Sequence, residues 1–492
     1  MGLYLLHLHL HGLFRGQNLE LGRDADTGGQ SQYVLQLAQA LGERPELDRL
    51  ELITRCIEDP CLSADYSLRR ETLSSKVSIL RLPFGPSRYL SKEQLWPHLR
   101  QLVNQLVLHI SLQQRRPHWI HAHYADAGWV GAQLQRRLGI PLVFTGHSLG
   151  REKQRRLLAL GQLPEQLNRD YCIERRIAAE EAALAAASLV ITSSCQEAQG
   201  QYVQYKNFHP ELPEVIPPGV DQGQFHPHGI AGEDAEISAL LAPFLGDLGR
   251  PCLMALSRLD RRKNIPALVA AFGSSDFLRQ HYNLVLVLGC RQDLQLLGQE
   301  QRQEWQLLLE AIDRHNLYGQ VAYPKQHSRA QVPALLRWVA RRRGLFVNPA
   351  LTEPFGLTLL EAAACGLPVV ATDDGGPVDI LQRCGNGLLV NVALGGQLRR
   401  GLERATAPGA PWDTWRAQGL AAVAEAYHWS AHARRYLQVA QALCGSARAS
   451  SAHQHLYGGG GSIGAPPRFR KIYAPGQGYA HASLGPRLWL AK

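Results

Sequence analysis

Short apolar runs typical of β-strands alternate with helical patterns along the chain as far as residue 444. Alternation of this kind predicts βαβ units and parallel sheets with helices on their faces. This alternation of strands and helices is found both before and after residues 214–221, a short strand-like segment rich in proline and glycine. The sequence therefore predicts an α/β protein with two domains of the same class, joined near this segment.

The predicted elements fall at regular intervals. Strands are predicted at 3–10, 50–54, 77–82, 119–123, 141–144, 189–193, 252–256, 283–288, 344–347 and 368–372. The longer helices are predicted at 92–113, 172–187, 301–315, 329–340, 357–365 and 429–444. We assign 1–216 to an N-terminal domain, 217–249 to a loop-rich interdomain region, 250–427 to a C-terminal domain, 428–444 to a terminal helix and 445–492 to a disordered tail.

The segment 348–361 carries the strongest signal for a binding site. Pro349 and Pro354 keep the chain extended, and Gly356 precedes a run with helix-forming composition. A loop that runs into a helix presents free backbone N–H groups, which suit a phosphate. Glu353 and Glu361 flank those groups, and carboxylates accept hydrogen bonds from sugar hydroxyls. The pattern suits a nucleotide sugar, although a plain amphipathic helix with solvated glutamates gives the same spacing.

A glycine turn in the first half gives a second signal. Gly28 and Gly29 stand just before a predicted helix and permit close approach of a phosphate to the backbone. Asp24 and Asp26 precede them, and we interpret these as turn residues rather than metal ligands. A second glycine turn, at 373–377, precedes another helix start.

Polar residues follow three of the predicted strands. His11, Asp126 and His147 stand at or beyond strand ends, where ligands gather in open α/β sheets. Each histidine also fits a core or capping role. His7 and His9 share one strand face with His11, but no zinc-like spacing completes a ligand set, so we expect no metal site there.

Charge and composition narrow the class of partner. The formal net charge is +10, but six Lys and Arg and no acidic residue lie in 445–492, so the remainder carries only +4. This mild excess suits phosphorylated substrates and gives no indication of nucleic-acid binding. No apolar run is long enough to span a membrane and no secretory signal is evident, so we expect a cytoplasmic protein. The nine cysteines are scattered, as reduced thiols are.

Seven segments together resemble a known family. They are Gly-Arg-Asp-Ala-Asp-Thr-Gly-Gly-Gln at 22–30, His-Ala-His-Tyr-Ala-Asp-Ala-Gly at 121–128, Thr-Gly-His-Ser-Leu-Gly-Arg at 145–151, Val-Ile-Pro-Pro-Gly-Val-Asp at 215–221, Ser-Arg-Leu-Asp-Arg-Arg-Lys-Asn at 257–264, the stretch 348–361, and Gly-Gly-Pro-Val-Asp at 375–379. This set resembles the sucrose-phosphate synthases, retaining glycosyltransferases of the family 4 type. Their GT-B architecture has two facing Rossmann-like domains and an interdomain cleft.

The resemblance implies transfer of glucose from UDP-glucose, or another nucleotide-diphosphate glucose, to fructose 6-phosphate, with retention of configuration. The catalytic residues it implies are Arg258, Lys263, Glu353 and His147. The donor residues it implies are Gly29, Arg258, Lys263, Glu353, Phe355, Gly356, Leu357 and Glu361. The acceptor residues it implies are Gly29, Gln30, Lys92, Asp126, His147, Ser148, Lys153, Arg175 and Arg176. Each of the basic acceptor residues is open to the alternative of ordinary surface charge.

The resemblance implies no metal ligands and no required cofactor, with Mg²⁺ at most an activator. The partners it implies are the two substrates, with an association with a separate sucrose-phosphate phosphatase left open. No aspartate follows residue 444, so we expect no phosphatase-like domain there. Sucrose synthase, which uses free fructose, another nucleotide-sugar glycosyltransferase and a non-catalytic sugar-binding regulator are the alternatives. The regulator predicts loss of Arg258, Lys263, Glu353 or Glu361, and none of these residues is lost.

Overall fold

Two β-sheets, each with helices against it, make up the body of the protein in the computed structural model. The structure describes residues 2–20, 23, 24, 26–159 and 161–456, with side chains as far as residue 442. Residues 1–445 form one compact unit that contains both sheets. The sheets occupy successive halves of the chain, as the alternation of strands and helices predicts.

The first sheet lies in the N-terminal half. Its strands are β1 (Leu3–Leu8), β2 (Leu47–Arg55), β3 (Arg70–Thr72), β4 (Val77–Leu82), β5 (Trp119–His123), β6 (Leu142–Thr145), β7 (Ala187–Thr192) and β8 (Pro213–Val215). Their order is β3-β4-β2-β1-β5-β6-β7-β8, and the pairing is parallel except for β3 with β4. The accompanying helices are α1 (Gly29–Gly42), α2 (Lys92–Leu95), α3 (Leu99–Ser111), α4 (Tyr124–Leu138), α5 (Gly150–Ala159), α6 (Pro164–Tyr171) and α7 (Ile173–Ala186).

The second sheet follows α8 (Glu233–Leu241). Its strands are β9 (Cys252–Leu256), β10 (Asn283–Val287), β11 (Val321–Ala322), β12 (Leu345–Asn348), β13 (Val369–Thr372) and β14 (Gly387–Val390), paired in the order β11-β10-β9-β12-β13-β14. Its helices are α9 (Ile265–Gly273), α10 (Asp276–His281), α11 (Gln299–Arg314), α12 (Gln331–Arg341), α13 (Leu357–Ala364), α14 (Gly376–Cys384), α15 (Gln397–Thr406) and α16 (Trp412–Ala426). Parallel strands covered on both faces read as continuous apolar runs, which is why they stand out in the sequence.

The last helix, α17 (Trp429–Leu456), begins after α16 and packs on the first sheet. Trp429, Ala433 and Tyr436 are buried in one core with residues of β1 and α1. The indole N–H of Trp119 donates a hydrogen bond of 2.8 Å to the hydroxyl of Tyr436. The helix continues past residue 444, where the sequence prediction ended it, and the rest of the predicted tail, 457–492, lies outside the described residues.

Two elements differ from the sequence prediction. The region 217–249 was predicted to be loop-rich, yet α8 forms there and buries Ile237 and Leu241. The predicted helix 92–113 is divided into α2 and α3 by a tight helical turn that contains Pro97, which lacks a backbone N–H. Among the described residues, no helix combines the length and the apolar character that a membrane span needs.

Candidate active site

The start of α13 forms the centre of the site in the second domain. Gly356 caps this helix with φ of +102°, a left-handed conformation that glycine adopts without a Cβ clash. The first N–H groups of any helix lack partners within the helix and carry a partial positive charge. Phe355 and Leu357 flank the glycine and are half-buried. This geometry matches the predicted phosphate-binding loop.

Lys263 and Glu353 form an ion pair beside this helix start. The Lys263 ammonium donates to Oε2 of Glu353 at 2.6 Å, and the amide of Asn348 donates to the same oxygen at 3.1 Å. Lys263 stands in a short helical turn after β9, and Glu353 in the loop after β12. The neighbouring strands β9 and β12 thus bring together two residues 90 positions apart in the chain. The structure therefore fixes a cation and a carboxylate side by side next to this helix start.

The second glycine turn holds this loop in place. The Gly376 N–H donates to the carbonyl of Glu353 at 2.9 Å, and the Glu353 N–H donates to the carbonyl of Asp374 at 3.0 Å. Gly375 has φ of +109°, and a Cβ there would lie 1.9 Å from the Glu353 carbonyl oxygen. Glycine is therefore required by backbone packing, and the turn supports the Glu353 loop.

Arg258 and Glu361 complete the predicted donor residues. Arg258 is exposed after β9 and has no hydrogen-bond or ion-pair partner among the described residues, which leaves its guanidinium available to an anion. Burial raises the pKa of Glu361 to about 7, and the charge of Arg329 opposes that shift. Among the described residues, Glu361 makes no direct bond to Lys263 or Glu353, so the structure leaves its predicted role at the ribose untested.

The glycine loop before α1 lies open in the first domain. A Cβ built on Gly28 or Gly29 would meet nothing within 4 Å, so free space lies above this helix start. Asp24 organises the turn by accepting hydrogen bonds from the N–H groups of Asp26 and Thr27 at 2.7 and 2.8 Å. The sequence-based interpretation of Asp24 as a turn residue agrees with these bonds. Asp26 also contacts helix α2, because its carboxylate accepts hydrogen bonds from the backbone N–H and the ammonium of Lys92.

His11 and Asp126 meet at the carboxyl ends of β1 and β5. Nδ1 of His11 lies 2.8 Å from Oδ2 of Asp126, and Oδ1 of Asp126 accepts the Ala127 N–H at 2.6 Å. Only 1% of Asp126 is exposed. The sequence predicted that Asp126 contacts the acceptor, but both of its oxygens are engaged and buried. In this geometry Asp126 orients His11 instead.

His147 follows β6 in a left-handed conformation, with φ of +56°, that non-glycine residues seldom adopt. Its Nε2 lies 3.0 Å from Nδ1 of His123, and its ring packs edge-on to Tyr33 at 4.9 Å between centroids. Burial, and then the charge of His11, lowers the pKa of His147 to about 3, so the ring is neutral at physiological pH. The neighbouring Ser148 is exposed.

The two predicted arginines of α7 differ in their surroundings. Arg176 is buried, pairs with Glu180 at 3.0 Å and donates to the carbonyl and hydroxyl of Ser148. Its charge is neutralised within the protein, so it orders the 147–148 loop and is not a free phosphate-binding group here. Arg175 is exposed on the same helix.

Lys153 lies near cationic side chains from both domains. Its ammonium lies 3.4 Å from the centroid of the Tyr171 ring. Burial lowers the pKa of Lys153 to about 8, and the nearby charges of Arg176, Lys92 and Arg262 contribute to this shift. Burial also disfavours the charged form of Lys92, but its bond to Asp26 outweighs this and the pKa of Lys92 is raised. Arg262 comes from the second domain, so positive charge from both domains surrounds Lys153.

The three histidines of the β1 segment do not converge with one another. Nε2 of His9 lies 3.1 Å from the Ser31 hydroxyl, and its Nδ1 lies 3.1 Å from the amide nitrogen of Gln30. His7 instead joins His121 and His123, two residues of β5. The absence of a metal site remains a prediction from the sequence spacing, and the structure adds that the ring neighbours of His7 come from an adjacent strand and not from the local sequence.

Among the described residues, three hydrogen bonds join the two domains at the cleft, and the sequence analysis did not predict them. The Arg156 guanidinium donates to the Thr352 hydroxyl at 3.2 Å. The Gln196 amide donates to Asp374 at 3.1 Å, and the Cys195 N–H donates to Asp379 at 2.6 Å. Residues 195 and 196 follow the end of β7, and that position beyond a parallel strand was the signal available in the sequence.

Comparisons with known proteins agree with this geometry. A model described as "Glycosyl transferase 4-like domain" matches residues 28–219, and one described as "Glycosyl transferases group 1" matches residues 244–406. The sequence is 39% identical to probable sucrose-phosphate synthase 2 of Arabidopsis thaliana over 88% of this chain. The structure has the GT-B fold that these glycosyltransferases share. The predicted fold and the predicted resemblance to sucrose-phosphate synthases are both confirmed.

Solved structures of other glycosyltransferases are similar to this one. Sucrose-phosphate synthase from Thermosynechococcus elongatus has a TM-score of 0.69 and 27% identity, with 90% of this chain and all of that chain covered. Anabaena HepE in complex with UDP and glucose has a TM-score of 0.60 at 19% identity, covering 89% of this chain and 99% of that one, and this likeness concerns the fold alone. The chain spans 47% of the length of the Arabidopsis relative.

Proposed function

We propose that this chain transfers glucose from a nucleotide-diphosphate glucose to fructose 6-phosphate, with retention at the anomeric carbon, giving sucrose 6-phosphate. Its resemblance to sucrose-phosphate synthases supports the choice of reaction. One structural observation carries the choice of acceptor: Lys153 lies among the charges of Lys92, Arg176 and Arg262. Since Arg176 is paired with Glu180 and Arg262 with Asp260, Lys153 is the cation best placed for an acceptor phosphate.

The second domain holds the donor in this proposal. The N–H groups at the start of α13 and the side chains of Arg258 and Lys263 bind the diphosphate. Glu353 accepts hydrogen bonds from glucose hydroxyls, and Glu361 from the ribose. A cation fixed where negative charge develops contributes a few kcal/mol, about a hundredfold or more in rate. The ion pair of Lys263 with Glu353 supports this assignment, because it fixes both groups before any substrate arrives.

The first domain holds the acceptor. Lys92, Lys153 and the exposed Arg175 are assigned to its phosphate. Gln30 and the backbone at Gly29 face the reacting carbon above open space. His147 is neutral and therefore able to accept or donate a hydrogen bond to an acceptor hydroxyl. Asp126 orients His11, and Arg176 orients Ser148, so these two act through their neighbours.

The reaction exchanges one bond at the anomeric carbon of glucose for another. The bond from this carbon to the diphosphate oxygen breaks, and a bond to the fructose 2-hydroxyl oxygen forms on the same face. The proton of that hydroxyl passes to the departing diphosphate oxygen. Arg258, Lys263 and the α13 N–H groups stabilise the negative charge on the leaving group as it grows. No nucleophilic carboxylate is needed on this path.

The proposal includes four lesser points. The transfer step uses protein cations and needs no metal cofactor at the diphosphate, with Mg²⁺ an activator only. The location is cytoplasmic, in keeping with eight free cysteines among the described residues. The product passes to a separate sucrose-phosphate phosphatase, and co-purification of the two proteins checks this association. The donor is UDP-glucose or a related nucleotide sugar, in line with UDP and glucose in the HepE structure.

A matrix of donors against acceptors tests the proposed function. UDP-glucose, ADP-glucose and GDP-glucose are each mixed with fructose 6-phosphate, free fructose and glucose 6-phosphate, with EDTA and with Mg²⁺. We expect nucleoside diphosphate release with fructose 6-phosphate at least about tenfold faster than with free fructose, because only the phosphorylated sugar engages Lys153. Faster turnover of free fructose would overturn the proposal in favour of a sucrose synthase, and no release with any pair would overturn transferase activity.

A further inference from the structure

Three histidine rings meet beneath the acceptor side of the cleft, in a place that the proposed reaction does not use. His7 on β1 pairs in register with His121 on β5, and His123 lies two residues further along the same strand. The side chains are 0% exposed. One ring nitrogen of each residue lies within 4.8 Å of the nitrogens that the other two offer.

Each of these rings has one engaged nitrogen and one unpartnered nitrogen. Nε2 of His121 lies 3.0 Å from the Thr145 hydroxyl, and Nδ1 of His123 lies 3.0 Å from Nε2 of His147. Nε2 of His7 lies 3.5 Å from the Tyr436 hydroxyl. The remaining atoms, His7 Nδ1, His121 Nδ1 and His123 Nε2, are buried and have no hydrogen-bond partner in the described part of the chain.

Leaving three buried nitrogens without partners is costly, since each forgoes the hydrogen bond it has in water. A neutral imidazole carries one proton and one lone pair. If the engaged nitrogen of each ring carries the proton, all three unpartnered nitrogens carry lone pairs. Burial favours the neutral form of all three rings, so no positive charge opposes this arrangement.

We propose that His7, His121 and His123 bind one divalent transition-metal ion, with Zn²⁺ the expected occupant, through their unpartnered ring nitrogens. Three histidines and one open position are a common zinc ligand set, with Zn–N distances of about 2.0–2.1 Å. One ring nitrogen of each residue already lies within 4.8 Å of those of the other two, so binding requires only small movements of the rings. Imidazole ligands without carboxylates exclude Mg²⁺ and Ca²⁺, which prefer oxygen.

The second shell of this site is already in place. Metal-bound histidines usually donate their other ring N–H to a neighbouring group, which fixes the ring orientation. Here the neighbouring group is Thr145 for His121, His147 for His123 and Tyr436 for His7. The ion would join β1 to β5 and hold His123 against His147. Its function is thus to position His147, without contact with the donor phosphates, and in this respect the inference rests on the proposed function.

The test measures metal content and coordination directly. The full chain, without an affinity tag, is expressed with added Zn²⁺ or Co²⁺, desalted, and analysed for metal by mass spectrometry. We expect about one ion per chain, and for Co²⁺ the intense visible absorption of a low-coordinate nitrogen site. In His7→Gln and in His121→Gln we expect about tenfold less bound metal or more, with the visible bands lost.

A control variant tests whether the ion binds in the C-terminal segment instead. His453 and His455 form a His-x-His pair in the C-terminal segment, which is a metal-binding pattern in its own right. The double variant His453→Gln/His455→Gln should keep the stoichiometric ion and the Co²⁺ spectrum. Should the variants of His7 and His121 fail to fold, as judged by circular dichroism, this double variant still decides the question.

Wild-type protein with less than about a tenth of an ion per chain would overturn the metal site, as would full metal content in His7→Gln and His121→Gln. Loss of the ion in the His453→Gln/His455→Gln protein would also overturn it. The transferase assay on the same preparations is a separate readout. If the protein contains no metal and still releases nucleotide, the metal site is overturned and the proposed function stands. If the protein contains the metal and releases no nucleotide, the proposed function is overturned and the metal site stands.

Discussion

Glu353 is the residue on which the donor site depends most. Its carboxylate accepts bonds from Lys263 and Asn348, and its backbone is held by the glycine turn that follows β13. Replacing it with glutamine keeps the shape and removes the charge. We predict that Glu353→Gln lowers kcat by about 100- to 1000-fold, as expected when a group acting in the transition state is lost. Steady-state kinetics of nucleotide release measure this effect.

The control for this substitution is Glu310→Gln, which makes the same chemical change at an exposed position of α11. It should leave kcat and the thermal midpoint unchanged. A Glu353→Gln enzyme with wild-type kcat would remove the carboxylate from the proposed chemistry, whatever the KM for the donor.

Lys153 gives the site a predictable response to pH. Its pKa is lowered to about 8, so the free enzyme loses this positive charge as the pH rises through 8. In the proposed function the acceptor phosphate binds the protonated amine, so kcat/KM for fructose 6-phosphate should fall above pH 8. Lys153→Arg should move the fall to higher pH, because a guanidinium stays protonated there. Initial rates between pH 6.5 and about 9.5 at saturating donor measure both profiles.

The donor provides the internal control for this pH profile. Its KM over the same range should be equal in the wild type and in Lys153→Arg, since Lys153 lies on the acceptor side. Superimposable acceptor profiles for the two proteins would show that Lys153 does not meet the phosphate.

Individual residues were predicted with uneven success, and the reason is physical. Residues that follow neighbouring parallel strands meet at one edge of the sheet, so the proximity of Lys263 to Glu353 and of His11 to Asp126 could be anticipated. The sequence carries no comparable record of which way a side chain points. The sequence therefore predicted Arg176 to be a free phosphate-binding cation, although the side chain is buried against Glu180.

At the scale of secondary-structure elements, a substitution at the start of α1 can distinguish an effect on substrate binding from an effect on the stability of the fold. Gly28 has extended backbone angles, φ of −147° and ψ of −153°, and a Cβ there meets nothing within 4 Å. Gly28→Ala should therefore change the free energy of unfolding by less than about 1 kcal/mol. A substrate that approaches this backbone closely would meet the new methyl group, so kcat/KM should fall about tenfold or more.

Gly298→Ala provides the comparison, because Gly298 precedes surface helix α11 and a Cβ added there would also meet nothing within 4 Å. Thermal melts and kinetics are measured for both variants. Equal activity in the two would mean that no substrate closely approaches the α1 glycine turn.

Most strands were predictable because a parallel strand buried on both faces is a continuous apolar run. Helix α8 was missed because Pro and Gly residues surround it and obscure its short apolar stripe. Ile237 and Leu241, four residues apart, were the available signal. Its buried ion pair from Glu233 to Arg337 joins residues 104 positions apart, which local patterns do not reveal. The cluster of His7 with His121 and His123 was missed for the same reason.

For the whole molecule, the two sheets serve one reaction only if the domains meet across the cleft. Gln196 in the first domain and Asp374 in the second make one of the contacts that join them. Asp374 also accepts the N–H of Glu353 through its carbonyl, so this contact is linked to the donor loop. Closure around both substrates is the usual behaviour of enzymes with two domains and a central cleft.

Gln196→Ala should weaken the closed arrangement without touching either substrate. A single exposed hydrogen bond is worth about 0.5–1.5 kcal/mol, so we predict that KM for donor and acceptor rise together by about two- to tenfold. Small-angle X-ray scattering with UDP should show a larger radius of gyration than in the wild type. Gln199→Ala, an exposed neighbour on the same segment, should change neither quantity. A rise in KM for one substrate alone would place Gln196 in a binding site and argue against its part in closure.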